Sequence, residues 1–308
     1  MSRIRYDRAH PARLACLSLP QEESGIREAG LERELDGEPG STLSIIIPAK
    51  NEAENLPELV AEVVRVFRSL LREPGPSPRL EAFEIIVIDD GSTDGTDRLL
   101  ARLEFTYPEL RSIILARSAG QTAATAAGFR AATGQWVGTL DADLQNPPAE
   151  LAHLWRALPG HDAALGWRRS RKDAWSRRVI SKLANRVRNT VLGQTIRDTG
   201  CSVRILSRAM ALRLPLFDGA HRFFGPLLLR EGCRLVQLPV SHRARFRGRS
   251  HYHLGNRSFR VIIDLLGVAW LMRRRVRYEI AAVRPHGTDL PSLPVSPVFS
   301  KSVEEVFG

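Results

Sequence analysis

The sequence predicts an α/β fold in which a mainly parallel sheet carries helices on both faces. Three observations lead there. From residue 41 onward, short β-branched and apolar runs alternate with helical patterns; single helices separate successive strands; and two of the strands are apolar at nearly every position. Strands joined by single helices need right-handed crossovers, which lay them parallel. A strand covered on both faces shows a continuous apolar run, as residues 43–47 and 84–89 do, in place of alternation.

Taken in order, residues 43–47 form the first strand and 53–71 the first helix; the second strand spans 84–89, its helix 96–103, and the third strand 112–115. A helix over 121–133, a strand over 136–140, a helix after Pro148 and a short strand over 163–166 follow. The Pro-rich stretch 72–79, REPGPSPR, interrupts the first crossover as a solvent-facing loop. Beyond Gly166 come basic helices, one weak strand at 235–240 and an apolar segment at 259–272. Residues 1–40, ending in Gly37-Glu38-Pro39-Gly40, read as a disordered lead-in, and 284–308, with Pro291, Pro294 and Pro297, as a flexible tail. The expected organisation is a main domain over 41–255 and a helical segment over 256–283.

With 308 residues, 43% hydrophobic and 26% charged, the composition is that of a globular protein and excludes collagen-like, wholly disordered and mini-protein classes. Cys16, Cys201 and Cys233 form no C-x-x-C pair, which argues against a disulfide framework or structural zinc and for a reducing compartment. The first residues are too charged for a signal peptide, and the longest apolar run, 261–272, contains Asp264, so no segment is expected to span a bilayer. The net charge of +11 is unevenly placed: residues 168–277 hold 26 Lys or Arg against 5 Asp or Glu, whereas the rest holds 19 against 29. Such a focused positive field gathers phosphate-bearing partners, whether nucleic acid, anionic lipid head groups or nucleotide substrates.

In an open parallel sheet, ligands bind beyond the carboxyl ends of the strands. Three of those ends carry acids: Pro48-Ala49-Lys50-Asn51-Glu52, Asp89-Asp90-Gly91-Ser92-Thr93-Asp94-Gly95, and Asp141-Ala142-Asp143-Leu144-Gln145. Each alone reads as an ordinary polar turn or cap, but three on one edge point to a site. Asp141 and Asp143 are two residues apart, which in an extended segment puts both carboxylates on the same side, suited to a Mg²⁺ or Mn²⁺ ion bridging a diphosphate. Asp89 and Asp90 suit ribose hydroxyls or base N–H groups. The P-loop, dinucleotide and H-E-x-x-H zinc patterns do not occur.

Together SIIIPAKNEAENL, EIIVIDDGSTDGT, ARSAGQTAATAAGF and GTLDADLQNPP resemble family 2 glycosyltransferases of the GT-A fold, a Rossmann-like architecture. The DADLQ-x-P form is similar to the polyprenyl-phosphate, dolichyl-phosphate mannose synthase-like branch. The likeness continues through Gly166-Trp167-Arg168, Trp175 to Ser181, Asp198-Thr199-Gly200-Cys201 and Arg245 to Ser250. The resemblance implies that Pro48, Glu52 and Asp89 line the nucleotide pocket with Asp90 close by, and that Asp141, Asp143 and Gln145 face the metal. It further implies that Arg168, Arg177 and Ser181 meet the acceptor phosphate while Arg245 approaches the donor diphosphate. Where the bacterial relatives carry lysine in G-R-S-K-Y, this chain has His251.

A sugar hydroxyl acceptor needs a general base, but a phosphate acceptor is already an anion and needs arginines and a divalent cation to overcome repulsion. The arginines between residues 168 and 249 fit the second case, and the Q-x-x-R-W pattern of chain-extending synthases does not occur. The expected reaction is an inverting transfer from a GDP- or UDP-sugar to a polyprenyl phosphate. Asp198 reads better as a holder of an arginine or a turn cap than as a base. Phe259, Ile262, Ile263, Leu266 and Trp270 fall at helical spacing between Arg257, Arg260 and Arg273-Arg274-Arg275. That segment suits either a core helix or one lying on an anionic membrane surface. A peripheral position on the cytoplasmic face follows from the second reading, with a separate integral membrane protein as a candidate partner. Rival readings are transfer to a sugar hydroxyl, a silent nucleotide-sugar-binding scaffold and a basic nucleic-acid-binding protein. The last lacks any helix-turn-helix, RNA-binding or zinc motif.

Overall fold

A computed structural model describes residues 41–73, 79–169, 189–193, 195–243 and 257–274. The lead-in, residues 74–78 of the Pro-rich loop, residues 244–256 and the tail lie outside the described residues. The described elements are β1 (Ser41–Ala49), α1 (Leu56–Leu70), β2 (Leu80–Asp89), α2 (Thr96–Thr106), β3 (Leu110–Ile114), α3 (Gln121–Ala131), β4 (Trp136–Thr139), α4 (Pro148–Arg156) and β5 (Ala163–Arg168). After these come β6 (Arg204–Ser207), α5 (Arg208–Arg213), a short 3₁₀ turn (Ala220–Arg222), α6 (Phe224–Arg230), β7 (Leu235–Val240) and α7 (Arg257–Arg273).

The seven strands form one sheet in the order β3-β2-β1-β4-β6-β5-β7. β1 pairs in parallel with β2 and β4, β2 with β3, and β5 with β7; β6 runs antiparallel to both β4 and β5. β6 is the element the sequence pattern does not announce. It is four residues long and sits between β4 and β5, so a return strand divides the parallel half from the basic half.

Alternation along the central strands sends side chains to two separate cores. Leu43, Ile45 and Ile47 of β1, with Ile85 and Val87 of β2, pack beneath α1, α2 and α4. Ile46, Ile86 and Ile88 face the opposite layer of α3, α5, α6 and α7. α1 buries Leu56, Leu59, Val60, Val63, Val64, Phe67 and Leu70, one stripe at three- and four-residue spacing. Each such large side chain removed from water contributes about 1.5–3 kcal/mol. α3 packs tightly on the sheet at Gly128, where an added Cβ would come within 2.4 Å of Ile46 Cγ2. Among the described residues no helix is long and apolar enough to cross a membrane.

Candidate active site

β1 and β2 run parallel and finish together, with Ala49 opposite Asp89, so the loop after each starts beside the other. Their hydrogen bonds lace them. Asn51 N–H donates to Ser92 Oγ (2.8 Å), Thr93 N–H donates to Asn51 Oδ1 (2.8 Å), and Ala53 N–H donates to Asp94 Oδ2 (3.0 Å). Asn51 sits at φ 55°, a left-handed conformation that asparagine tolerates. This places Pro48 and Glu52 at the rim, where Glu52 Oε2 accepts from Asn55 Nδ2 (2.6 Å).

Asp89 and Asp90 are buried, 1% and 5% exposed. Asp89 Oδ1 accepts from Ser92 N–H (2.8 Å). Asp90 Oδ1 accepts from the N–H groups of Ala119 (2.6 Å) and Gly120 (3.1 Å), and Oδ2 from Ser118 Oγ (2.9 Å). Lys50 Nζ donates to the same Ser118 hydroxyl (2.7 Å). Both oxygens of Asp90 therefore fasten the β3–α3 loop to the end of β2.

β4 ends at Thr139, and Asp141 and Asp143 lie beyond it in a turn closed by Leu144 at φ 60°, not in the extended segment expected from the sequence. Ala142 and Leu144 are each buried to 4% exposure in the core. Asp141, Asp143 and Gln145 alternate with them and remain half-buried. Asp141 Oδ2 accepts from Ser202 Oγ (2.7 Å) and Oδ1 from Gln121 Nε2 (3.1 Å). Gln145 N–H donates to Asp143 Oδ1 (3.2 Å), and the Gln145 carbonyl accepts from Arg243 N–H (2.8 Å). Burial, and then the neighbouring Asp143 carboxylate, push the Asp141 carboxyl above its ordinary range.

A divalent cation held there would relieve that like-charge repulsion. Among the described residues no third His, Cys, Asp or Glu completes a closed cage. An open pair of carboxylates, leaving positions for water and phosphate oxygens, is the donor set that Mg²⁺ and Mn²⁺ accept. The residues present therefore fit such an ion.

Arg168, at the end of β5, is held by Asp198: Nε to Oδ2 at 2.7 Å and Nη2 to Oδ1 at 3.0 Å. Asp198 Oδ1 also accepts from Gly200 N–H (3.0 Å), so it both holds an arginine and caps a turn. Burial opposes the charge on Arg168, but Asp198 more than compensates and raises its pKa further. β4 and β5 both run antiparallel to β6, so Arg168 at the end of β5 lies at the same sheet edge as the turn holding Asp141, and the two charges favour one another. Arg177, Ser181, Arg245 and His251 lie outside the described residues.

Four further residues at this edge are not acids and carry no signal as strand-end carboxylates. Gln121 and Ser202 grip Asp141, and His221 Nδ1 meets Thr122 Oγ1 at 2.8 Å. Arg204 is 7% exposed; it donates to the carbonyls of Cys201 and His221 and lies 4.8 Å from the Phe224 ring centroid. Gln121 falls within the ARSAGQTAATAAGF block and Ser202 directly follows Cys201, so motif context marks both where residue type does not.

The family described as "Glycosyl transferase family 2" matches residues 44–216. A dodecaprenyl-phosphate galacturonate synthase of Rhizobium johnstonii is 34% identical over 243 residues, 76% of this chain and 68% of that protein. Among solved structures, glucosyl-3-phosphoglycerate synthase from Mycobacterium tuberculosis, in complex with Mn²⁺, UDP and phosphoglyceric acid, superposes with a TM-score of 0.56 at 22% identity, covering 80% of this chain and 84% of that one. A mannosyltransferase from Pyrobaculum calidifontis, in complex with GDP-Man and Mn²⁺, gives 0.50 at 21% identity, over 77% and 65% of the two chains. With its acidic strand ends on one edge of a mainly parallel sheet and more than half its length matched, the chain belongs to glycosyl transferase family 2, as a glycosyltransferase of the GT-A fold.

Proposed function

We propose that the chain transfers a sugar, with inversion, from a GDP- or UDP-sugar to a polyprenyl phosphate at the cytoplasmic face of a membrane. The observation that carries this reading is the gathering, at the one sheet edge where β4 and β5 both end, of an open carboxylate pair, Asp141 and Asp143, and the Arg168 guanidinium held by Asp198. The Rhizobium relative, named for a polyprenyl-phosphate product, supports it.

On this reading Pro48, Glu52 and Asp89 line the nucleotide pocket, and Asp90 shapes it by holding the 118–120 loop. Asp141 and Asp143, with Gln145 alongside, would hold Mg²⁺ or Mn²⁺, which would supply charge neutralisation for the leaving diphosphate. Ser202 and Gln121 keep the Asp141 carboxylate oriented. The acceptor phosphate arrives as an anion, so no residue must remove a proton from it. Asp198, engaged with Arg168, acts as an orienting partner and not as a base. Arg168, Arg177 and Ser181 receive the acceptor phosphate, and Arg245 the donor diphosphate. α7 lies on an anionic membrane surface, where a separate integral membrane protein can hand over or collect the lipid.

The test is transfer from labelled GDP- and UDP-sugars, nucleotide-linked galacturonate among them, to undecaprenyl and dodecaprenyl phosphate with Mg²⁺ or Mn²⁺. One donor is expected to yield a charged lipid-linked monosaccharide. Asp143→Asn, folded by circular dichroism, is expected to lower that turnover by about 100-fold or more. Donor hydrolysis or transfer to a soluble sugar, with no lipid product, would overturn the acceptor assignment. Near-normal turnover in folded Asp143→Asn would overturn the metal assignment.

A further inference from the structure

We propose that Arg204 is a positioning residue that fixes the Asp141 carboxylate by tying together the two loops that grip it. The inference rests on the reading that Asp141 and Asp143 hold the metal. Asp141 is held at Oδ2 by Ser202 and at Oδ1 by Gln121, residues that come from opposite sides of the site.

Ser202 belongs to the segment entering β6. Its neighbour Cys201 offers its carbonyl to Arg204 Nη2, while Asn146 Nδ2 donates to Ser202 Oγ (2.9 Å). Gln121 opens α3, and the next residue, Thr122, is anchored to the 219–221 turn. Thr122 Oγ1 meets His221 Nδ1 (2.8 Å) and accepts from the N–H groups of Gly219 (3.2 Å) and His221 (3.4 Å). The carbonyl of that same His221 accepts from Arg204 Nη1 at 3.1 Å. A single planar guanidinium thus bonds the Ser202 loop with one nitrogen and the turn behind Gln121 with the other.

The energetics favour this role over a purely structural one. Arg204 is 7% exposed, and among the described residues it hydrogen-bonds two neutral carbonyls and lies over an aromatic face; burial opposes its charge more than the nearby Asp141 and Asp198 carboxylates, neither in a direct ion pair with it, support it. Burying a cation this way costs free energy, and an apolar side chain of similar volume serves packing as well or better. What an apolar residue cannot do is hold two carbonyls of separate loops at fixed spacing. The β-register adds the geometry: Arg204 lies opposite Thr139, the last residue of β4, two positions before Asp141.

The experiment uses the full chain and measures Mn²⁺ affinity in the presence of UDP, by electron paramagnetic resonance of free Mn²⁺, without turnover. Arg204→Met, which keeps the stem over Phe224 and removes the donors, is expected to melt cooperatively yet bind Mn²⁺ about 10–100-fold more weakly, the range for lost outer support of a metal ligand. Arg204→Lys, able to reach one carbonyl but not both, should recover part of that loss. The double variant Arg204→Met/Ser202→Ala should lose less than the two single losses combined, because both act through one carboxylate. Thr122→Val severs the other arm and should weaken Mn²⁺ in the same direction, which keeps the test decisive even if Arg204→Met does not fold.

Mn²⁺ affinity within about twofold of wild type in folded Arg204→Met or Thr122→Val, alongside lost binding in Asp143→Asn, overturns the role of Arg204 and leaves the metal site standing. Unchanged Mn²⁺ binding in Asp143→Asn overturns the metal assignment, and the inference with it.

Discussion

Glu84 sits within β2 and gathers four donors. Oε1 accepts from Ser44 Oγ (2.5 Å), Thr133 N–H (2.8 Å) and Thr133 Oγ1 (2.7 Å), and Oε2 accepts from Arg111 Nε (2.7 Å). Burial works against ionisation, but Arg111, Ser44 and Thr133 together outweigh it and hold the carboxyl down to about 2. Because the folded pKa lies below the unfolded one, the folded state favours the charged form. The resulting stabilisation is fully present above the unfolded value of 4.5 and is lost as pH falls toward about 2. Glu84→Gln should therefore melt below wild type at neutral pH, with the gap between their midpoints closing as the pH is taken down to about 3. Melting scans of both proteins across that interval check it; a gap independent of pH would refute the assignment. Asp90 shows what the fold adds to residue type. Its sequence position marks it for a place beside the nucleotide pocket, and its oxygens bind three partners in a neighbouring loop, a contact that only the folded chain brings about.

That loop and the β2–α2 turn behave as one element. Gly91, at φ +65°, lies so close beneath residues 117–118 that an added Cβ would meet Ser118 N at 2.6 Å and Arg117 C at 2.9 Å. Both are backbone atoms and cannot rotate aside. Gly95 has φ +86° with nothing within 4 Å of the same position, so it carries the conformational cost without the collision. Gly95→Ala should cost about 1–2 kcal/mol of stability and leave the donor KM unchanged. Gly91→Ala should cost more and raise the donor KM several-fold, because it displaces the loop that Asp90 secures. Denaturant melts paired with donor kinetics separate the two variants; equal KM values would sink the argument. At this scale the elements from β1 to β5 were legible, since period-two and helical repeats run long enough to be distinct. β6 was not, because four residues carry no usable period and its burial arises from strands far away in sequence. The turn holding Asp141 and Asp143 has the alternating pattern of an extended segment, because Ala142 and Leu144 stay buried while the left-handed Leu144 bends the chain.

Across the whole molecule, α7 joins the catalytic half to its surroundings. Val268 and Ala269 are buried in the core beneath it, with Leu265, Leu271 and Met272 packed alongside. Two contacts set its place. A Cβ on Gly219 would stand 2.9 Å from Asp264 Oδ2, and Arg230 Nε donates to the Leu271 carbonyl (3.3 Å). The Gly219 turn is the one that anchors Thr122, so the helix is docked directly behind the site. On its outer side Ile263, Leu266 and Trp270 are 52%, 61% and 58% exposed, and the Arg274 guanidinium lies over the Trp270 ring at 5.2 Å. The core reading of the sequence thus holds for one side of the helix, and the other side leaves large apolar side chains exposed. On the proposed function, this exposed apolar stripe, flanked by arginines in the sequence, is the surface that would meet an anionic bilayer. Wild type should therefore co-sediment with vesicles containing phosphatidylglycerol and be released as salt rises, since screening removes the electrostatic part. Leu266→Glu/Trp270→Ala should bind those vesicles about tenfold or more weakly, given the apolar area withdrawn. Turnover with a short, water-soluble prenyl phosphate should be unaffected by that double variant, while turnover with the vesicle-borne acceptor falls. Equal vesicle binding by both proteins would remove α7 as the contact, because the double variant withdraws the exposed apolar side chains of its outer stripe.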